Sequence, residues 1–492
     1  MSGGQTNNTK QAAWVAIGGL FSFGFSIVSS MILSRYFSKA DYGTYKQVIY
    51  VYGAMLTIFT LGLPKAYSYF LPRVERDQAK SLINKLTILF FLLGFVFTLV
   101  LFFGSGIISE IMNNSDLKGA LQLFSVVPIL TLPTMGLEGI LATYRKIHFL
   151  TLYTVVTRTF SLLCTAIPVL LFGFGYMEAI LGFVIAAAIN CVIALALKYY
   201  PIRDAAKDPC PITLREIFSF SLPLLYASLW GMLISHCDQF FISRYYGNVT
   251  FAEFSNGSME LPFVGMILSA CSTVLSPVFS RMSHEKVDPQ KVVYPLWMSV
   301  FQKTAKLTCP LIIYCWFFAD IIMIFLYGGK YEASYIYFRI KLITYLFTLI
   351  IYGPLLINIG KVKFYSNVHM YSAIAVILLE YVSVITINSP YAISIVSMLC
   401  QFGKVFVLMW GVSSYFALPI YKLFPIGLLA KILIPSALFL YIEHELIGRY
   451  LQIGNSFYTV IISFSIFVVF YFLYSYIARI DYYTIIKPLM KK

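Results

Sequence analysis

Apolar runs about as long as a bilayer is thick recur along the whole chain, and this repetition limits the fold more than any other feature. A hydrocarbon core of about 30 Å needs a helix of roughly 20 apolar residues. In lipid, only helices and closed barrels satisfy every backbone amide and carbonyl. The runs are continuous, as in LTILFFLLGFVFTLVLFF (86–103). They do not alternate with a period of two, which disfavours a barrel. The composition agrees: 59% of residues are hydrophobic and only 12% charged, too few charges to cover a soluble surface of this size.

Fourteen spans are expected: 12–34, 44–70, 81–104, 119–143, 149–172, 179–197, 217–243, 256–279, 304–326, 334–358, 367–387, 390–413, 426–447 and 456–477. The fold class is therefore an all-α polytopic membrane protein. Its longest connections, 198–216 and 280–303, are too short to fold independently, so any function lies within the bundle. The first run is too long for a signal-peptide core and is expected to be retained. Of the eight cysteines, all but Cys210 lie in apolar spans and none forms a CxxC pair. They read as small buried hydrophobes rather than ligands.

Lysine and arginine orient the bundle. With the N-terminus in the cytoplasm, 21 of them fall in cytoplasmic segments, Lys198 and the tail residues Lys487, Lys491 and Lys492 included. Only six (Arg35, Lys39, Lys118, Arg244, Lys330 and Arg449) fall outside. Both termini are thus expected in the cytoplasm. The net charge of +15 is accounted for by an anionic inner leaflet, and no nucleic-acid partner is implied.

Two halves of the chain resemble each other at an offset of about 209 residues. SRYFSKADYGTY (34–45) matches SRYYGNVTFAEF (243–254), and each follows an odd-numbered span. LPKAYSYFLPR (63–73) sits opposite VLSPVFSRM (274–282), and YRKIHF (144–149) opposite GKVKFY (360–365). Six spans per half give a parallel repeat with its axis along the membrane normal. The expected organisation is an N-lobe at 1–198 with spans 1–6, a C-lobe at 199–414 with spans 7–12, and 415–492 with two further spans and a short basic tail. Two similar lobes rocking about one interface can open a central path alternately to each side.

The SRYFSKADYGTYKQV segment, the LPKAYSYFLPR ending, HCDQFFISRYYG in span 7 and LYGGKYEAS after span 9 resemble the multidrug/oligosaccharidyl-lipid/polysaccharide exporter superfamily. Within it they are most similar to Wzx-type polysaccharide flippases, over essentially the whole chain. The resemblance implies a protein of the bacterial cytoplasmic membrane that flips undecaprenyl-diphosphate-linked oligosaccharides outward for capsule or O-antigen assembly. It also implies membrane lipids as partners, with a polysaccharide polymerase and chain-length proteins nearby. Direction of transport comes from the resemblance alone.

Such a substrate needs cationic donors in a hydrated cavity and aromatic faces for sugar rings. Arg35, Lys46, Asp238, Arg244 and Glu260 gather at the outer ends of spans 1, 2, 7 and 8. One reading has Arg35, Lys46 and Arg244 gripping phosphate or gating, with Asp238 and Glu260 as charge partners. In the other, the two arginines snorkel at the interface. Arg339, Lys341 and Lys404 are further cations on spans 10 and 12. Arg339 and Lys404 are candidates for substrate, and Glu380 for a proton or sodium ion. Glu138 and Arg158, at similar estimated depths, are expected to form a structural ion pair, with substrate contact as the alternative.

The chain holds no GxxxxGK[ST], no HExxH and no GxSxG, so neither a nucleotide engine nor a hydrolytic site is expected. Glu443-His444-Glu445 is a weak metal hint at a span edge. No cofactor, metal or enzymatic activity is expected. The rival functions are a multidrug or cation exporter of the same superfamily, a membrane glycan polymerase or ligase, and a transport-inactive scaffold. An exporter of cations would carry acidic residues in its cavity, whereas the span-borne charges here lean cationic. A polymerase or ligase would need a large outer loop, which is missing.

Overall fold

The structure is a computed structural model that describes residues 2–447 and 456–482, with the backbone alone for 2–17 and for Pro262. Among these residues every regular element is a helix. The first half holds α1 (Ser2–Tyr36), α2 (Lys39–Phe59), α3 (Pro64–Phe70), α4 (Arg76–Ile111), α5 (Leu117–Phe124), α6 (Val127–Thr131), α7 (Leu137–Thr143), α8 (Ile147–Phe172) and α9 (Tyr176–Tyr199). The second half holds α10 (Leu214–Gly257), α11 (Pro262–His284), α12 (Tyr294–Phe317), α13 (Ala319–Tyr327), α14 (Ser334–Thr348), α15 (Gly353–Asn358), α16 (Val362–Thr386), α17 (Pro390–Phe416), α18 (Ile426–Leu446) and α19 (Ser456–Ile477).

Among the described residues, twelve helical stretches are long and apolar enough to cross a membrane, and thirteen if the bent pair formed by 289–317 and α13 counts as one span. Helix α1 covers the first expected span. The protein is a multi-pass, all-α membrane protein. The tail at 483–492, with Lys487, Lys491 and Lys492, and the segment holding Arg449 lie outside the described residues.

Several spans are broken, and the breaks have local causes. In span 2, Leu61 (φ 48°) and Gly62 (φ 69°) make a left-handed turn between α2 and α3. Helix α3 then restarts on Pro64, where a missing N–H costs nothing. A side chain at Gly62 would also meet the Ser221 carbonyl. Span 4 is cut twice, the second time at Gly136 (φ 79°). Span 9 bends by 77° between α12 and α13. Helix α10 hides a break at Gly247 (φ 79°, ψ 178°), so residues 248–257 already lead into span 8. That break lies about one repeat length from the turn at 37–38 between α1 and α2.

By packing, the chain divides into two compact units, Met1–Ala252 and Glu253–Lys492. The boundary lies past span 7, whereas the sequence repeat divides near residue 198. In the first unit the buried positions of α4, among them Leu82, Leu86, Phe90, Phe97 and Leu101, recur on one face at helical spacing. Aromatic rings bridge α4 to α2, with Phe59 stacked on Phe97 at 4.3 Å. In the second unit Tyr314, Phe318, Leu440, Ile447 and Phe467 form one buried cluster that joins α18 and α19 to span 9.

The packing of span 7 into the first unit has a polar cause. Gln47 Nε2 donates to Ser243 Oγ at 2.8 Å. Asn114 Nδ2 donates to Thr44 Oγ1 at 2.9 Å and to Gln47 Oε1 at 2.6 Å. Asn248 Nδ2 donates to the Ala40 carbonyl and to Thr44 Oγ1, each at 3.2 Å. Gly43 permits this approach, because a side chain there would fall on the Asn248 backbone carbonyl. Buried polar groups that satisfy one another fix register.

Lys198 corrects the charge inventory. It is the last-turn cation of α9 and is fully buried, not a loop residue facing the cytoplasm. Its ammonium donates to Tyr67 Oη at 3.2 Å and lies over the rings of Tyr67 and Phe90.

Candidate functional site

The first unit encloses a cavity of about 460 Å3 between α1, α2, α6, α8 and α9. Its polarity comes from helical spacing. On α8, Thr154, Thr157, Arg158, Ser161 and Thr165 line it, an i, i+3, i+4, i+7, i+11 stripe down one face of an otherwise apolar helix. On α1, Ser26, Ser29 and Ser30 do the same.

Two cations enter this cavity. Lys46, on α2, donates to Ser30 Oγ at 3.3 Å and lies 5.2 Å from the Tyr42 ring centroid. Arg158 makes no hydrogen bond or ion pair with any described residue, so its five N–H donors stay available. No Asp or Glu lines the cavity. Tyr45, Tyr52 and Tyr153 supply aromatic surface, and Tyr52 Oη pairs with Thr131 Oγ1 at 2.6 Å. Asn190 on α9 lines the wall with a buried Oδ1 that has no hydrogen-bond partner. Arginine and lysine among hydroxyls, amides and ring faces suit a phosphorylated, sugar-bearing ligand.

The expected ion pair of Glu138 with Arg158 does not form. Gly136 interrupts span 4, and Glu138 lies in the first turn of the short helix that follows, exposed. Arg158 faces the cavity instead. The estimate of matching depths assumed one continuous helix for span 4.

The remaining sequence candidates are dispersed. Arg244 donates to the Glu110 carbonyl at 2.6 Å, which caps the open end of α4, where carbonyls lack helical partners. Arg35 stands exposed in the last turn of α1. Asp238 Oδ1 accepts from the neighbouring Gln239 N–H at 2.9 Å. Glu260 lies exposed in the connection between α10 and α11, in the second unit.

Arg339 is committed to the bend of span 9. It donates to the carbonyls of Trp316 at 3.0 Å and Phe317 at 3.4 Å, and its Nη2 lies 3.9 Å from Asp320 Oδ1. Lys404 lines an apolar groove of about 770 Å3 between α16 and α17. Glu380 is fully buried on α16. No cluster of three or more His, Cys, Asp or Glu residues able to hold a metal exists among the described residues.

A family model described as "Polysaccharide biosynthesis protein" matches residues 9–283, more than half of the chain. The chain belongs to that family.

For this polysaccharide biosynthesis family member, the fold has solved counterparts. The lipid II flippase MurJ, in an inward closed conformation, superposes with a TM-score of 0.69 at 15% identity, covering 96% of this chain and 99% of that one. A multidrug resistance MATE family transporter of the MOP superfamily, inward-facing, gives 0.63 at 13% identity over 81% and 95%. A MOP superfamily transporter from Pyrococcus furiosus, described by the reverse polarity of its binding pocket, gives 0.57 at 13% identity over 84% and 96%. No curated protein matches the chain in sequence. The fold is that of the MOP transporters.

Of the five substrate candidates named from sequence, Lys46 alone lines this cavity. Arg158 is expected from sequence in the Glu138 ion pair first and in substrate contact as the alternative, and the serine and threonine stripes were missed. Their helical periodicity within apolar runs was the signal that would have found them.

Proposed function

We propose that the protein is a flippase that carries undecaprenyl-diphosphate-linked oligosaccharide units from the cytoplasmic to the outer leaflet of the bacterial cytoplasmic membrane, for surface polysaccharide such as capsule or O-antigen. The observation that carries this reading is the cavity's charge: two cations, Lys46 and Arg158, and no acidic residue. A diphosphate supplies the complementary anion, the hydroxyl stripes and tyrosines meet the sugars, and the polyprenyl tail stays in lipid. An exporter of organic cations would need the opposite polarity. Family membership supports the polysaccharide context.

Transport makes and breaks no bond in the substrate. The work is desolvation of the diphosphate, and a preformed cationic cavity offsets its cost. Alternating access requires the neutral network of Gln47, Asn114, Ser243 and Asn248 to release, each bond contributing about 1 kcal/mol net. Such bonds are weak enough to break in every cycle. An ion gradient or the membrane potential supplies the energy. Both termini face the cytoplasm, and the polymerase and chain-length proteins act on the delivered units.

The test is complementation of a deletion strain. Arg158→Ala and Lys46→Ala should each lower surface polysaccharide about tenfold or more at normal protein level, since a charge-assisted contact is worth about 1.5–3 kcal/mol. Lys46→Arg should retain most of it. Full export by both alanine variants would remove the cavity from the mechanism.

A further inference from the structure

The Glu443-His444-Glu445 motif holds no metal cluster, yet one of its members occupies an unusual place. Glu443 lies on α18, the first of the two spans beyond the repeat, with 5% of its surface exposed. It shares a buried face with Ile432, Ser436 and Leu440. That face packs against Tyr314 and Phe318 of span 9 and Phe467 of α19. Both carboxyl oxygens are buried, and neither has a hydrogen-bond partner among the described residues. The Tyr314 hydroxyl does not serve it, being directed to the Val460 carbonyl at 3.0 Å and Ser463 Oγ at 2.8 Å.

An unpartnered carboxylate in an apolar aromatic cluster is among the costliest arrangements a membrane protein can hold. A sodium ion requires several oxygen ligands; the Tyr314 and Ser463 hydroxyls are engaged, which leaves Ser436 Oγ as a single spare hydroxyl on that face among the described residues. A proton removes the charge, which is the largest part of that cost.

The next residue leads out of the cluster. His444 Nε2 lies 3.4 Å from Asp320 Oδ2, and Asp320 Oδ1 faces Arg339. This trio sits on the 77° bend of span 9, which Arg339 holds by its two carbonyl contacts. Among the described residues, the titratable or charged groups around Glu443 are Tyr314 and Cys315 on α12, Asp320 on α13, Arg339 on α14 and His444 and Glu445 on its own helix. Helix α19 contributes tyrosines and no charged side chain.

We infer that Glu443 is a proton-binding site through which the two C-terminal spans couple the transport cycle to the proton gradient. Loading adds one proton from water to a carboxylate oxygen of Glu443 and removes one negative charge. Release returns that proton to water and restores the charge beside the Asp320–His444–Arg339 trio, and so acts on the bend of span 9. The coupling half rests on the flippase reading above, whereas proton binding does not.

Dicyclohexylcarbodiimide, which adds to protonated buried carboxyls, separates the two. The purified full-length protein in liposomes should carry the adduct on Glu443 at pH 6. Above the titration point of Glu443 the labelled fraction should fall about tenfold per pH unit. In Glu443→Gln no adduct should form at that position, and surface polysaccharide should drop about tenfold or more, with Glu443→Asp restoring part of it. An unlabelled Glu443 in the wild-type protein at every pH would overturn the proton site, whether or not the variants fold. Labelling together with full export by Glu443→Gln would overturn the coupling. If deletion of the protein leaves polysaccharide unchanged, the flippase reading fails while the labelling result still decides the proton site.

Discussion

Arg158 and Arg244 carry the same guanidinium and differ in what lies within reach. Arg244 meets the open end of α4 and spends its charge on the Glu110 carbonyl, while Arg158 projects into a cavity and makes no hydrogen bond with a described residue. Their alanine variants should therefore fail differently. Arg244→Ala should cost about 1.5–3 kcal/mol of stability, read as a lower thermal midpoint of the purified protein, with export per folded molecule retained. Arg158→Ala should leave the midpoint near the wild-type value and lose export. The sequence shows both arginines equally well. It does not show that Gly136 cuts span 4, which is why Glu138 was expected beside Arg158. The Thr154–Thr157–Ser161–Thr165 stripe was legible in its spacing, but apolar hydropathy drew attention to the span rather than to its one polar face.

At the scale of elements, the spans follow from hydropathy and their breaks do not. Apolar runs mark the twelve or thirteen membrane-length stretches among the described residues, with ends displaced by up to about ten residues, as where the run expected from 304 belongs to a helix that begins at Tyr294. The left-handed turn at Leu61–Gly62, the bend at Phe318 and the break at Gly247 depend on packing partners far along the chain. Prolines gave a partial signal: Pro64 and Pro262 stand at helix starts rather than bending a continuous helix. The polar network between α2 and α10 makes a direct prediction. Gln47→Cys with Ser243→Cys leaves two thiols separated by about the reach of one glutamine side chain, a gap that a short reducible bis-thiol linker spans. Cross-linking should block export, and reduction should restore it. A second variant, Gly43→Leu, should lower export even at normal protein level, because the new side chain collides with the Asn248 carbonyl and keeps the two helices apart.

For the molecule as a whole, the repeat and the charge balance describe the chain's organisation, and packing divides it differently. Span 7 belongs to the second half by repeat and to the first compact unit by contact, because its polar residues are satisfied by α2 and the α4–α5 turn. No sequence pattern announces that preference. Lys198 makes a related point: a cation at a span end reads as a loop charge until the fold buries it against Tyr67 and Phe90. The one-sided excess of lysine and arginine read from the sequence survives its removal, so a reporter fused after Lys492 should signal from the cytoplasm. A reporter in the α13–α14 connection, near Lys330, should signal from outside.

The central claim is translocation of a lipid-linked glycan, and the most direct measurement follows the substrate itself. In a strain lacking this protein, surface polysaccharide and the sidedness of undecaprenyl-diphosphate-linked units are measured in the same cells. The account predicts that surface polysaccharide is lost while complete lipid-linked units accumulate in the inner leaflet, and that wild-type protein reverses both where the Arg158→Ala variant does not. Unchanged polysaccharide with no accumulated units, accompanied by heightened sensitivity to cationic dyes, would contradict the account and assign the fold to drug export.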